Sequence, residues 1–557
     1  MSILGKKWIV KNHDDKLNVI AKLLQNRGID TPDKAQLFFS GKLSDLHSPG
    51  LLKDLDKAVA RILRAVRAKE KIMVFGDYDV DGITATAMLY DFLKKSGADV
   101  YYTLPHREAD GYGLKDYFVQ KFHKSGINLI ITVDCGTANA KEIAMANEFK
   151  MDVVVTDHHS MPATLPDAIA IVNPKRPDCV YPNKEICGSS IAYKLISTLA
   201  SGLMDKKEAE AYLQKQLGVV ALGIVGDCMA MTGENRILVR EGIKSLIAGD
   251  HEGVAALLAE AGIDLNKINS GVLAFQITPR INAAGRMDKA DHSFELLLGK
   301  LEKAVTLNEL NEARKVLAKE YILEAKAQLK GKDIPNIIVI HDKKWRAGLL
   351  GLIASDLVEK FGRPTIAMQE RETEYVASMR SINDFDITGH LRSYASHLFS
   401  AFGGHTMAGG FSLPKANFEE FMKKVEEIAK THVSPAHFGG SLKIDCVIEP
   451  HEINFETAHK LKHLEPFGPE NPEPNLLIKN VRLLELRPVG QKQEHLQIPL
   501  QYGDKNLRAI AFRFGEHLQK INPSVPHDLV VNLETNEWNG QERLQLRVVD
   551  MRKSEDQ

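Results

Sequence analysis

Cysteine is scarce in this chain: five residues in 557 (Cys135, Cys179, Cys187, Cys228 and Cys446), scattered, odd in number and without a C-x-x-C pair. That pattern excludes a disulfide framework and a thiolate zinc site, and fits reduced thiols in a cytoplasmic protein. No run of eighteen or more apolar residues occurs, so no segment is expected to span a membrane. The N-terminal MSILGKKWIVKNHDDKL turns charged within a dozen residues and lacks the apolar stretch of a secretory signal. Excess charge of one sign is missing too: 72 basic and 73 acidic side chains leave a formal net charge of −1. Any nucleic-acid contact must therefore come from a local groove rather than a cationic surface at large.

What is present is ordinary globular material, 44% hydrophobic and 26% charged. The length exceeds a single core, and three or four domains are expected. Residues 1–70 read as a helical segment, with Pro32 near a helix start in Thr31-Pro32-Asp33-Lys34. From residue 71, short apolar runs alternate with amphipathic helices: KIMVF (71–75), DVYYTL (99–104), NLIITV (128–133), DVVVT (152–156) and AIAIV (168–172). Continuous rather than alternating hydrophobicity marks strands buried on both faces, hence a parallel α/β sheet in a domain over 71–300. Within it, 183–298 reads as mainly helical. Residues 301–332 follow without Gly or Pro until Gly331, and 301–330 predict a helix of roughly 45 Å joining two domains. A second α/β domain is expected over 333–432, with strands in NIIVIHD, PTIAMQ and EYVASMR, and THVSPAHFGG (431–440) reads as a linker. Residues 441–557 carry β-type segments, and Asn539-Gly540 signals a hairpin between two of them. A barrel of the OB type is the first expectation for this tail, a sandwich the second.

Three of the predicted strands run into acidic or imidazole residues: KIMVF into Gly76-Asp77-Tyr78-Asp79-Val80-Asp81-Gly82, NLIITV into Asp134-Cys135-Gly136-Thr137, and DVVVT into Asp157-His158-His159. In a parallel sheet the carboxyl ends of the strands share one edge, where ligands bind. Asp227, after the apolar run VVALGIV, can join them. Four or more carboxylates brought together repel one another unless cations intervene, so the cluster itself argues for metal. Carboxylates with imidazole and no thiolate favour Mn²⁺ or Mg²⁺. D-x-D-x-D-G also opens an EF-hand loop, but position twelve from Asp77 is Met88 and a strand precedes it. Cys135 and Cys228, each beside a candidate ligand, read as small core residues.

Further candidates surround this centre. Gly403-Gly404-His405 and Gly409-Gly410 permit close backbone approach to a phosphate with His405 as donor, although a glycine-rich turn is the plainer reading. Arg280 and Arg286 stand in an apolar context that suits a bound anion. His106, Arg107 and Tyr112 are candidates to line a strand path, with Tyr112 able to stack on a base. Among the tail's aromatics (Phe467, Tyr502, Phe512, Phe514, Trp538), core packing is the expected role.

The set DYDVDG, VDCGT, DHH and GDCM, followed by GGHTMAGGF (403–411), resembles the DHH phosphoesterase superfamily with its DHHA1 second domain. Motif order and the β-rich tail are similar to the RecJ single-stranded-DNA exonucleases over nearly the whole chain. The resemblance implies a DHH domain joined by a long helix to a DHHA1 domain, with a C-terminal OB-type barrel. It also implies hydrolysis of single-stranded DNA from the 5′ end to mononucleotides. Two ions, Mn²⁺ or Mg²⁺, would be held by Asp79, Asp81, Asp134, His158 and Asp227, with Asp134 bridging. His159 would touch the scissile phosphate and Asp157 support its loop. Asp77 belongs to the motif either as a ligand or as a support behind the ligands. Arg280, Ser378 and Arg380 would form a pocket for the 5′-terminal phosphate. A RecQ-type helicase and a single-strand-binding protein are the partners the resemblance suggests, in recombination and repair.

Two rivals come from elsewhere. DHH oligoribonucleases and cyclic-dinucleotide phosphodiesterases resemble the first two domains but generally lack a tail like 441–557. A non-catalytic nucleic-acid clamp of the same superfamily would have lost metal ligands, whereas every one is present here.

Overall fold

The computed structural model describes residues 2–383, 385–434, 438, 440–538 and 540–554, with the backbone alone at 537 and 538. The chain forms two compact units, one of Gln36–Val316 with Pro466–Pro472, the other of Met1–Ala35, Leu317–Glu465 and Glu473–Gln557. Numbered along the chain, β1 is Lys7–Asn12, and β2 (Lys71–Phe75), β3 (Asp99–Thr103), β4 (Leu129–Val133), β5 (Asp152–Thr156) and β6 (Ala170–Val172) form the sheet of the Gln36–Val316 unit. All five are parallel, in the order β3-β2-β4-β5-β6. Their apolar runs are continuous because alternate residues enter two different cores. Ile72, Val74, Leu129, Ile131 and Val154 pack with Leu89 and Phe92, whereas Met73, Phe75, Ile130, Val153 and Val155 pack with Phe118, Phe122 and Ile143. Helices Gly188–Leu203, Lys206–Gly226 and Gly233–Ala248 complete the first layer.

In the other unit, β7 (Ile338–Asp342), β8 (Thr365–Glu370), β9 (Glu374–Arg380), β10 (Ala401–His405) and β11 (Ala408–Pro414) form a sheet in the order β10-β11-β9-β8-β7. Only β7 and β8 are parallel, with helix Leu350–Phe361 between them in sequence. The same unit holds β12 (Ser441–Val447), β13 (Leu476–Leu483), β14 (Arg487–Val489), β15 (His495–Tyr502), β16 (Lys505–Ala511), β17 (His527–Trp538) and β18 (Gln541–Lys553). Strand β13 pairs with both β17 and β15, so β13-β17-β18-β16-β15 closes as a five-stranded barrel. The tail is of the OB type, not a sandwich.

Several expectations change. Residues 1–70 are not purely helical: β1 pairs in parallel with β12, Lys7 opposite Ser441 and Asn12 opposite Cys446. A lone six-residue alternating strand is legible only once its partner, more than 400 residues away, is known. The connecting helix is Lys303–Leu329, and the change of unit falls within it, between Val316 and Leu317. Pro466–Pro472, inside the expected tail, belongs to the first unit: Met231 N–H donates to Pro469 O at 2.7 Å and Arg236 donates to Pro466 O. The linker reading over 431–440 falls partly outside the described residues. So does Asn539 of the hairpin signal, although β17 and β18 pair up to Trp538 opposite Gln541. Among the described residues, no helix is long and apolar enough to cross a membrane.

Candidate active site

Adjacent parallel strands bring the three acidic loops together, since Phe75 lies opposite Thr132 and Val133 opposite Thr156. After β2, Asp79 caps helix Val80–Lys95, accepting from the Asp81 and Gly82 amides at 3.0 and 3.1 Å. Asp81, in the first turn, is buried. Its carboxylate accepts from Gly188 N at 2.6 Å and Ser189 N at 2.8 Å, at the N-terminus of helix Gly188–Leu203. Glycine is required at 188: a Cβ there would sit 2.6 Å from that of Asp134. Asp134, at the end of β4, adopts a left-handed backbone (φ 60°), which turns its carboxylate into the cluster.

Three groups of ligand-type atoms lie within 4.8 Å of one another: Asp77, Asp79 and Asp134; Asp81, His158 and Asp227; and Asp134, His158 and His159. His158 Nε2 stands 3.1 Å from Asp134 Oδ1, 3.5 Å from Asp227 Oδ2 and 3.9 Å from Asp81 Oδ2. Asp134 and His158, each a member of two of these groups, therefore join the two halves of the cluster. Asp77 Oδ1, Asp134 Oδ1 and Asp227 Oδ2 are buried with no hydrogen-bond partner. Burial, together with repulsion from Asp79, pushes Asp77 up to about 8. Burial and the charges of Asp81 and Asp79 do the same to Asp227, also to about 8. Asp134 is driven well above the carboxylate range by burial and then by Asp81. Orphaned, mutually repelling carboxylate oxygens beside an imidazole fit a divalent oxygen-seeking cation.

Asp157 behaves in the opposite way. It accepts from the amides of His158 (2.7 Å), His159 (3.0 Å) and Thr137 (2.9 Å), and lies 2.8 Å from His159 Nδ1. Burial alone would raise its pKa, but the His159 bond and charge and the amide bonds outweigh it and hold Asp157 below the ordinary range. His159 shows the reciprocal effect: burial pulls it down, Asp157 lifts it to about 9. Tyr112 hydroxyl reaches the same Nδ1 at 3.0 Å and donates to Asp134 O at 3.3 Å. Its hydroxyl is thus committed to the site rather than to a strand path. His106 is likewise committed to its own loop, accepting from the amides of Glu108 and Ala109. Arg107 lies over the Tyr78 ring at 4.1 Å. Cys135 is buried as expected, but Cys228 is exposed: Asp227 ends its helix and Cys228 turns outward at φ 54°.

In the other unit, strand pairing gathers Ser378, Arg380 and His405. Arg380 lies opposite Ala408 and Ala408 opposite His405, while Ser378 lies opposite Gly410 and Gly410 opposite Gly403. Directly paired residues share a face, so the Gly-Gly-His stretch is a β-hairpin edge rather than a turn. Arg380 Nη1 donates to Ser378 Oγ at 3.2 Å. Beside them starts helix Leu350–Phe361, where a Cβ on Gly351 would come 2.8 Å from Arg380 Nη2 and 3.3 Å from Ser378 Oγ. A guanidinium, a hydroxyl and a helix N-terminus make an anion-binding corner. Arg280, in the first unit, donates to Gln276 O and Asn308 Oδ1.

Family models match three parts of the chain: the DHH family N-terminal domain at 71–224, the DHHA1 domain at 334–431 and the RecJ OB domain at 444–550. The single-stranded-DNA-specific exonuclease RecJ of Bacillus subtilis (strain 168) is 33% identical over 98% of this chain and 70% of its own length. That of Salmonella typhimurium is 32% identical over 96% and 95% respectively. This chain belongs to the RecJ family. The crystal structure of RecJ in complex with Mn²⁺ from Thermus thermophilus superposes with a TM-score of 0.81, at 28% identity, covering 96% of this chain and 76% of that one.

Sequence reasoning missed some residues of this RecJ chain's site. Gly188 and Ser189 hold the Asp81 carboxylate, and the only signal was a small-residue helix start in Cys-Gly-Ser-Ser. Asn282 accepts from Val80 N at 3.1 Å, fixing the metal loop from a distant helix. Gly351 carries the signal of a glycine inside a helix's first turn.

Proposed function

We propose that this RecJ-family chain is a metal-dependent exonuclease that hydrolyses single-stranded DNA from its 5′ end to 5′-mononucleotides. One observation carries the chemistry: two carboxylate-rich groups, Asp77-Asp79-Asp134 and Asp81-His158-Asp227, adjoin where Asp134 lies 3.1 Å from His158, with buried carboxylate oxygens lacking partners. Asp79, Asp81, Asp134, His158 and Asp227 would hold two Mn²⁺ or Mg²⁺ ions, with Asp77 adding charge behind them. When bound, such a pair supplies positive charge to the phosphodiester and to an attacking water. His159, kept protonated by Asp157 and positioned by Tyr112, donates a charged hydrogen bond toward the phosphate that develops negative charge. Gly188 and Ser189 fix Asp81 before any ion arrives, so the ligands need little rearrangement.

Polarity rests on the anion corner of Ser378, Arg380, Gly351 and His405. A terminal phosphate monoester bears nearly two negative charges against one for an internal diester, and a guanidinium discriminates on that difference. Arg107 lines the strand beside Tyr78, and the barrel tail binds single strand. A RecQ-type helicase and a single-strand-binding protein would be its partners, in recombination and repair in the cytoplasm. The test uses 5′- and 3′-end-labelled single-stranded DNA and RNA with Mn²⁺, Mg²⁺ or EDTA. Mononucleotides released first from the 5′ label, in either metal and not in EDTA, support the reading. Release from the 3′ label refutes the polarity, and hydrolysis in EDTA refutes the metal centre.

A further inference from the structure

Phe275 is the most exposed large hydrophobic side chain among the described residues, at 83%. It sits in a rare element, the π-helical turn Leu273–Ile277, in which Thr278 N–H donates to Leu273 O five residues back. Pro279 explains the turn: it has no N–H for the Phe275 carbonyl four residues earlier, and its ring would clash with that carbonyl in an α-helix. The widened turn keeps Leu273 and Ile277 in the core and leaves Phe275 and Gln276 outside. Arg280 then donates to the carbonyl of Gln276 at 2.6 Å, locking the wide turn in place. A rigid mount for one phenyl ring in water is unusual, because π-turns concentrate at functional positions.

The helix that begins at this turn, Thr278–Met287, is the one that braces the metal loop. Asn282 accepts from Val80 N, and a Cβ on Gly285 would lie 2.7 Å from Tyr78 O. Seven residues separate Phe275 from Asn282, about 10 Å along a helix axis. At about 3.4 Å per stacked nucleotide, that length corresponds to about three nucleotides. Resting on the exonuclease reading above, we propose that Phe275 is a stacking platform for one base of the single strand, the third or its neighbour from the cut. Any base offers a π face to a phenyl ring, so the contact grips without reading sequence, and a duplexed base cannot offer it.

The experiment measures KM and kcat on 5′-phosphorylated single strands that are intact or carry one abasic residue at positions two to five, for wild type, Phe275→Ala and Phe275→Trp. In the wild type one abasic position should raise KM about tenfold, the effect of one lost aromatic stack. Phe275→Ala should raise KM about as much on intact strands and show no further abasic penalty, while Phe275→Trp keeps wild-type behaviour. Hydrolysis of bis(p-nitrophenyl) phosphate, which has no base to stack, should be equal in all three proteins. An unchanged KM for Phe275→Ala on intact strands, or an abasic penalty that survives in it, overturns the proposal. Loss of the small diester's hydrolysis in Phe275→Ala overturns it too, by showing that the residue supports the metal loop. A wild type inactive on every single strand refutes the exonuclease reading itself.

Discussion

Asp157 Oδ1 lies 2.8 Å from His159 Nδ1 while accepting from the amides of both His158 and His159, so one buried carboxylate sets the position and the charge of the outer imidazole. In Asp157→Asn the asparagine oxygen can still accept from the His158 and His159 amides, while the bond from the Thr137 amide to the other oxygen is lost. The negative charge is lost as well. His159 then loses what holds its pKa at about 9, and burial pulls it down. A histidine with a raised pKa is charged below that value and loses its charge as pH rises through it. Asp157→Asn should therefore lower kcat about 100-fold at neutral pH and move the alkaline limb of the rate profile to lower pH, with KM for single strands little changed. A wild-type alkaline limb in the variant would mean that His159 charge takes no part.

The shared carboxylate gives a second prediction. Asp134→Ala removes the carboxylate that groups with Asp77 and Asp79 on one side and with His158 and His159 on the other, and hydrolysis of 5′-labelled single strands should fall below detection while the circular dichroism spectrum stays native. The metal-free variant should be no less stable than wild type, because a buried carboxyl oxygen without a hydrogen-bond partner is deleted. In the wild type, carboxyls whose folded pKa is raised bind more protons folded than unfolded. Stability of the metal-free protein must then fall as pH rises from about 4, the ordinary carboxyl value, towards about 8, where Asp77 and Asp227 titrate. Mn²⁺ supplies the missing positive charge, so the rise in Tm on adding it should grow from pH 6 to pH 8 in wild type and largely vanish in Asp134→Ala. Scanning calorimetry over that range checks both halves.

The clustering of the acidic and imidazole residues was legible because they sit at the ends of short buried strands, where sequence order fixes spatial order. Asp77, Asp134 and Asp157 follow runs whose uniform hydrophobicity has one reading, a parallel strand between two helical layers. What sequence hid was non-local. Strand β1 finds its partner only in β12, Pro466–Pro472 docks on Met231 and Arg236 more than 200 residues earlier, and Gly351 reaches Arg380 only through the folded sheet. Tyr112 was visible as an aromatic near the motifs, but its hydrogen bond to His159 depends on how the loop between β3 and the next helix closes. Cys228 was misjudged because alternation was assumed past the end of a helix, where a left-handed residue reverses the direction.

The barrel yields a third prediction. On β15 and β16 alternate residues enter the core (Leu496, Ile498, Leu500, Ala509, Ala511), leaving Arg508 and Phe512 outside, with Phe512 packed edge-on to His495 at 5.1 Å. Tyr502 and Phe514 are buried, as aromatics in a barrel were expected to be. Deleting residues 441–557 would also strip β1 of its partner, so point changes are the cleaner probe. Arg508→Ala with Phe512→Ala should weaken binding of 30-mers about tenfold or more and reduce the salt dependence by about one phosphate contact. Turnover of tetranucleotides should not change. Equal losses on 4-mers and 30-mers would make this face structural rather than a grip on the strand.

The last prediction concerns direction. Arg380 donates to Ser378 Oγ, both stand beside the N-terminus of helix Leu350–Phe361, and the missing side chain of Gly351 lets the guanidinium lie against the helix, where a Cβ would come 2.8 Å from Arg380 Nη2. A terminal monophosphate fits such a corner better than an internal diester, since it brings almost one more negative charge and another acceptor oxygen. Each charge-assisted contact contributes about 1.5–3 kcal/mol, so losing one guanidinium should cost about 10- to 100-fold in kcat/KM. Wild type should degrade 5′-phosphorylated strands faster than 5′-hydroxyl strands, and Arg380→Ala should erase most of that preference by losing rate on the phosphorylated end alone. Gly351→Val tests the same corner from the other side: its side chain would press on the Arg380 guanidinium and displace it without removing the charge, and the preference should drop with Arg380 still present. Mn²⁺ binding, followed by calorimetry, should be unchanged in both variants, because no proposed ligand is altered. Equal rates on the two ends in wild type, or a preference that survives Arg380→Ala, would show that this corner does not set the polarity, while leaving the metal centre's chemistry as it stands.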